Sequence, residues 1–201
     1  MISKDDIFKI TSRAEFDSLA LDVFKFQFEH NKVYRSFCDL LYKHPSDVKC
    51  TSDIPFLPIQ FFKSHDVLST VQPIEKTFSS SGTTGSITSK HLVTDVKLYE
   101  DSYTKAFKHF YGDIEDYVVL ALLPSYLERE GSSLIYMVND LIDKSKQTES
   151  GFYLNNIEEL AHTLKALETK KQKTLLIGVS FALLDLVDQF QLNLNHTTIM
   201  D

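Results

Sequence analysis

The sequence predicts an α/β fold, with an N-terminal helical section leading into a mainly parallel sheet flanked by helices. Three observations carry this. Two short apolar runs, YVVLALL at 117–123 and TLLIGV at 174–179, read as strands buried on both faces, the pattern of parallel sheets covered by helices on either side. Helical patterns alternate with these runs, which is the signature of βαβ units. The first fifty residues show helical periodicity only, so the helical section is expected at 1–50 and the α/β core at 51–201.

Taken in order, the first helix signal is Ser12-Arg13-Ala14-Glu15, a capping box in which the hydroxyl and the glutamate satisfy each other's backbone N–H groups. Phe16, Leu19, Ala20, Val23 and Phe26 follow at helical spacing and are expected to face inward. Asn31 interrupts the pattern, and Val33, Phe37, Leu40 and Leu41 continue it to His44-Pro45. Between 51 and 76, Pro55, Pro58 and Pro73 break any long helix. The stretch IPFLPIQFF there is too apolar for a flexible linker and reads as ordered connecting chain. A further helix is capped by Thr94 or Asp95, turns Leu98, Tyr103, Ala106, Phe107 and Phe110 inward, and ends at Gly112. After the first buried strand, 131–143 reads as a helix through Leu134, Met137, Val138, Leu141 and Ile142. A short strand at 151–154, a helix opened by Asn156 with Leu160, Leu164 and Leu167, the strand at 174–179, the helix FALLDLVDQF and a strand at TTIM complete the series.

Composition narrows the functional classes. The chain has 201 residues, 43% of them hydrophobic and 24% charged, ordinary values for a globular protein. A net charge of -7 argues against nucleic acid as a main partner. No apolar run is long enough for a bilayer span, and MISKDDIFKI lacks the apolar core of a secretory signal, so a cytoplasmic location is expected. Cys38 and Cys50 show neither metal-site nor redox-motif spacing. Cys38 reads as a buried structural thiol. His91 and His109 read as structural or surface residues, and no Ser/His/Asp triad is apparent.

One stretch carries chemistry. Nine of the thirteen residues from Thr77 to Ser89 are Ser or Thr, and the run includes FSSSGTTG at 78–85. Hydroxyls and glycines in this density suit a loop whose backbone N–H groups and side chains converge on phosphate oxygens; a solvated turn is the alternative. A Walker loop is excluded, because Lys90 follows Gly85 by five residues and no glycine stands between them. A lysine there can act as a point cation towards phosphate. A second polar stretch, LLPSYLEREGSSLIYM at 122–137, follows a buried strand and opens a helix, the edge of a parallel sheet where ligands gather. Its Ser125, Tyr126, Glu128, Arg129 and Ser132 are candidates to orient a carboxylate or a phosphate, or else form an ordinary solvated loop.

FSSSGTTG with a lysine shortly after it resembles the signature loop of the adenylate-forming superfamily, whose members activate carboxylic acids with ATP. The resemblance implies ATP-phosphate binding by Ser80, Ser81, Gly82, Thr83, Thr84, Gly85 and Lys90. The spacer Ser-Ile-Thr-Ser before Lys90 is longer than the usual one and lacks its proline. With the 122–137 segment, the sequence resembles the acyl-protein synthetase of the bacterial bioluminescence fatty-acid reductase and its non-luminous relatives, over roughly residues 50–201. IGVSFALLDL resembles the strand and helix that precede the adenine site in that family.

The resemblance implies part of the large N-terminal domain of an adenylate-forming enzyme, an acid–thiol ligase. Its reaction converts a carboxylate, a fatty acid or else an aromatic one, and ATP into acyl-AMP, with Mg²⁺, and passes the acyl group to a protein or small-molecule thiol. TTIMD ends as a strand leaves the core, so the adenine-site segment, the mobile lid, its catalytic lysine and the acyl-accepting cysteine are expected beyond Asp201. Cys38 and Cys50 lie in the wrong part of the chain for that role. A coenzyme A ligase of the phenylacetate type and a non-catalytic nucleotide-binding or interaction remnant are the alternatives.

Overall fold

Ser12 starts helix α2 (Arg13–His30) with both bonds of its capping box: Glu15 N–H donates to Ser12 Oγ at 3.2 Å and Ser12 N–H donates to Glu15 Oε2 at 3.1 Å. The computed structural model describes residues 3–80, 87–123 and 131–201. They fall into two compact units, Met1–Ser102 and Tyr103–Asp201. Among the described residues there are eight α-helices, a four-stranded parallel sheet flanked by helices and a two-stranded antiparallel pair, so the chain is α/β.

In the first unit, a short α1 (Lys4–Ile7) precedes α2. Asn31 ends α2 and caps α3 (Lys32–Leu40), its Oδ1 accepting from Tyr34 N–H at 3.0 Å. The inward stripe differs from the expected one. Phe24 and Phe28 are buried with Tyr34, Cys38 and Val48, whereas Phe16, Phe26, Leu40 and Leu41 are exposed. Apolar residues stand all round α2, so periodicity alone selects no face; the partner helix does. Burial raises the Cys38 thiol pKa, as befits a structural thiol.

The proline-rich stretch is ordered connecting chain. It includes a 3-10 turn at Thr51–Asp53 and α4 (Phe61–Ser64). Ile54 and Leu57 pack on the helical cluster, Tyr34 Oη donates to the Pro55 carbonyl at 2.6 Å, and Phe37 meets Phe61 with ring centres 5.7 Å apart. Strands β1 (Lys76–Ser79) and β2 (Lys90–Val93) then pair antiparallel. Asp95, not Thr94, caps α5 (Val96–Tyr111) by accepting from Leu98 N–H at 3.2 Å, and the Lys4 ammonium pairs with the same carboxylate.

In the second unit, Tyr103 and Phe107 of α5 are buried, but Phe110 is 75% exposed, contrary to the expected stripe. Spacing does not separate Phe110 from this face, since seven residues from Tyr103 return to within about 20° of it; Phe110 stands in the last turn of α5, and its place at the helix end leaves it uncovered. The sheet contains β3 (Val118–Leu122), β4 (Gly151–Phe152), β5 (Thr174–Gly178) and β6 (Thr197–Met200) in the order β4-β3-β5-β6, all parallel. The crossovers are α6 (Ser133–Ser145), α7 (Ile157–Thr169) and α8 (Ser180–Gln189). Right-handed crossovers in this strand order put α6 on one face and both α7 and α8 on the other. The packing agrees: Leu160, Leu164 and Leu167 of α7 and Ala182 and Leu186 of α8 cluster with Val118, Leu120, Leu122 and Leu176. Ile135, Val138 and Leu141 bury the apolar side of α6, whereas Leu134 is exposed.

Candidate functional site

Each unit contributes one candidate region. In the first, β1 and β2 present the hydroxyl–glycine loop at the open end of their ladder. The register pairs Ser79 with Lys90 and sets Ser80 opposite Ser89. Ser80 N–H donates to the Ser89 carbonyl at 3.1 Å, and Ser89 N–H donates to Ser80 Oγ at 3.1 Å. Ser80 and Lys90 thus lie one register step apart at the base of the loop, with the Lys90 side chain exposed. His91 is exposed and pairs in register with the buried Phe78, its ring 6.2 Å from Phe62. The candidates Ser81, Gly82, Thr83, Thr84 and Gly85 lie outside the described residues.

A hydroxyl and a cation at the base of such a loop suit phosphate oxygens, which accept hydrogen bonds and carry negative charge. Among the described residues, no group of three or more His, Cys, Asp or Glu side chains is placed to hold a metal ion.

In the second unit, the strand order creates a switch point between β3 and β5. The chain leaves β3 for α6 on one face and leaves β5 for α8 on the other. In open parallel sheets, ligands gather outside strand ends whose connections diverge in this way. Ser132 stands there as the N-cap of α6, its Oγ accepting from Ile135 N–H at 3.4 Å. The start of α8 is near by in the same edge, and the Ser180 hydroxyl donates to Asp201 Oδ2 at 2.7 Å across the β5–β6 pair. The positive ends of α6 and α8 dipoles lie at this carboxyl edge, which favours an anionic ligand group. Gly178 ends β5 where a Cβ would stand 2.9 Å from Leu183 Cγ and 3.2 Å from Leu122 Cβ. Ser125, Tyr126, Glu128 and Arg129 lie outside the described residues.

Three residues escaped the sequence reading. Ser89 enters through its backbone, which no residue type advertises. Ser180 is one polar residue among many at strand-to-helix junctions, and its partner Asp201 is set by the register of β5 and β6. His109 is exposed on α5. A groove of about 540 Å³ in the first unit is lined by Phe26, His30, Val33, Leu68 and Val71 among others, and none of the described candidate residues lines it.

A family model described as "Acyl-protein synthetase, LuxE" matches residues 5–112, more than half of the chain. The chain belongs to the LuxE acyl-protein synthetase family. The match takes in the whole β1–β2 hairpin and its hydroxyl–glycine loop, and it ends at the close of α5. The switch-point edge of the second unit lies beyond the range matched to LuxE. No curated protein matched the chain. No helix among the described residues is long and apolar enough to cross a membrane.

Proposed function

We propose that the protein takes part in ATP-dependent activation of a carboxylic acid, preferentially a fatty acid, and in transfer of its acyl group to a thiol. One observation carries this reading: the LuxE match includes the hydroxyl–glycine loop, and Ser80 and Lys90 stand at that loop's base. The carboxylate oxygen attacks the α-phosphorus of ATP, a bond forms between them, and pyrophosphate leaves. A thiolate then attacks the acyl carbon, the thioester forms, and AMP leaves with the former carboxylate oxygen. AMP is a far better leaving group than oxide, which is why the first step is needed.

The chain's part in the first step is to hold and neutralise the phosphates. Ser80 and the residues 81–85 donate to phosphate oxygens, and Lys90 opposes the charge of the departing pyrophosphate. Mg²⁺, when bound with the nucleotide, would neutralise further phosphate charge. In the second unit, Ser132 and the residues 125–129 border the acyl or phosphate pocket. Protein-held orientation of the carboxylate for in-line attack supplies the rest of the rate.

The test is carboxylate-dependent ATP–pyrophosphate exchange with short, long and aromatic acids, on the intact gene product. Exchange with a preferred long-chain acid is expected, followed by an acyl–protein adduct that hydroxylamine releases. Release of acyl-coenzyme A instead would assign a coenzyme A ligase. Nucleotide binding without exchange for any acid would overturn the enzyme reading and leave a binding module.

A further inference from the structure

We propose that Ser80 acts as a positioning residue, its side chain ending the β1–β2 ladder and clamping the neck of the hydroxyl–glycine loop; this rests on reading that loop as the phosphate site. The ladder runs in register from Lys76↔Val93 to Ser79↔Lys90, so Ser80 and Ser89 form the next opposed pair. In a regular hydrogen-bonded pair each residue's N–H donates to the other's carbonyl. Here only half of that exchange is made by the backbone. Ser80 N–H donates to the Ser89 carbonyl at 3.1 Å, while Ser89 N–H donates to Ser80 Oγ, also at 3.1 Å. The hydroxyl stands in for Ser80's own carbonyl. The strand therefore stops being a strand at Ser80, with the chain held across to Ser89 at that point.

Two consequences follow from the chemistry of a hydroxyl. Its oxygen accepts from Ser89 N–H, which fixes one lone pair, and this bond leaves the hydroxyl's own proton to be donated. An anion is the partner such a donor suits. Closing the neck in the free protein also lowers the ordering cost when a ligand binds between the two ends. Ala at position 80 removes the clamp, Thr keeps it, and Pro at position 89 removes the N–H that the clamp needs.

The experiment is a double-mutant cycle over Ser80→Ala and Ser89→Pro, with Ser80→Thr as the conservative variant, read in ATP–pyrophosphate exchange. Amide hydrogen exchange at Ser89 is measured alongside in the wild type, Ser80→Ala and Ser80→Thr, and thermal melts exclude unfolded variants. Ser89 N–H is expected to be protected in the wild type and Ser80→Thr and to lose protection in Ser80→Ala. KM for ATP is expected to rise about tenfold in either single variant, the loss of about one hydrogen bond, with a smaller change in kcat. The two losses are expected to be non-additive. An unprotected Ser89 amide in the wild type overturns the clamp. Additive losses, or a loss in Ser80→Ala with none in Ser89→Pro, would make Ser80 a direct phosphate ligand only and overturn the positioning role. Failure of the phosphate-site reading is seen separately, as a wild type with no exchange at all.

Discussion

Gly178 is the residue on which the edge of the second unit's sheet depends. A Cβ there would meet Leu183 Cγ and Cδ2 at 2.9 Å and Leu122 Cβ at 3.2 Å, closer than unstrained carbon contacts. Glycine thus lets the first turn of α8 and the end of β3 close on the end of β5. Gly178→Ala is expected to destabilise the protein by about 1–3 kcal/mol, the usual cost of overpacking. A denaturant titration checks this, and an unchanged midpoint would show that Leu183 moves aside freely. This close approach was not legible in IGVSF, where a glycine after three apolar residues marks only a strand's end. Ser180, two residues later, gains its meaning in the same way, from an Asp201 that sequence separation hides.

At the scale of elements, the ends of helices were legible where side chains do the capping. Ser12, Asn31, Asp95 and Asn156 each accept from a backbone N–H of the helix they open. The ends that lack a glycine were harder to read. Helix α7 closes with Gln172 N–H donating to the Leu167 carbonyl and Lys171 N–H to that of Glu168, both at 3.0 Å. This six-to-one pattern needs a left-handed residue, and Lys171 supplies it with φ of 56°. A side chain is disfavoured there by Cβ crowding that glycine avoids. Lys171→Gly is therefore expected to stabilise the exposed end of α7 by about 1 kcal/mol, read as a higher unfolding midpoint. A lower midpoint would mean that the lysine side chain contributes more than the backbone loses.

Across the whole molecule, several carboxylates are tied to backbone or side-chain donors. Hydrogen bonds from Thr11 and Ser12 hold Glu15 below the ordinary range, and those from Cys50 and Lys49 do so for Asp53. At Glu168 burial pushes the pKa up, but the N–H groups of Asn195 and His196 and the Thr197 hydroxyl outweigh it and leave it lowered. Each of these groups favours its charged form more when folded than when unfolded. Their contribution is present above the unfolded carboxylate value of about 4 and is lost as pH falls through the lower folded values. Lys146, raised by its bond to Glu115, contributes in the opposite sense: it is fully effective below about 10.4 and fades as pH rises through its folded value. Stability is thus expected to be flat near neutrality and to drop below about pH 4. Glu168→Gln is expected to flatten the acid limb, and an acid limb of unchanged steepness would show that the carboxylate is equally free in both states.

Although the antiparallel β1–β2 pair on either side of the hydroxyl–glycine run went unread, the sequence by itself determined the α/β class, the alternation of helices and strands from α5 onward, and the first capping box. These are properties of short windows: period, cap chemistry and composition act within a few residues. Tertiary structure decided which face of α2 is covered, where Phe110 points, that β3 lies between β4 and β5, and that Ser180 meets Asp201. It also decided that Ser80 closes on the backbone of Ser89. Such choices depend on partners distant along the chain, because burial and strand register are settled between elements and not within them.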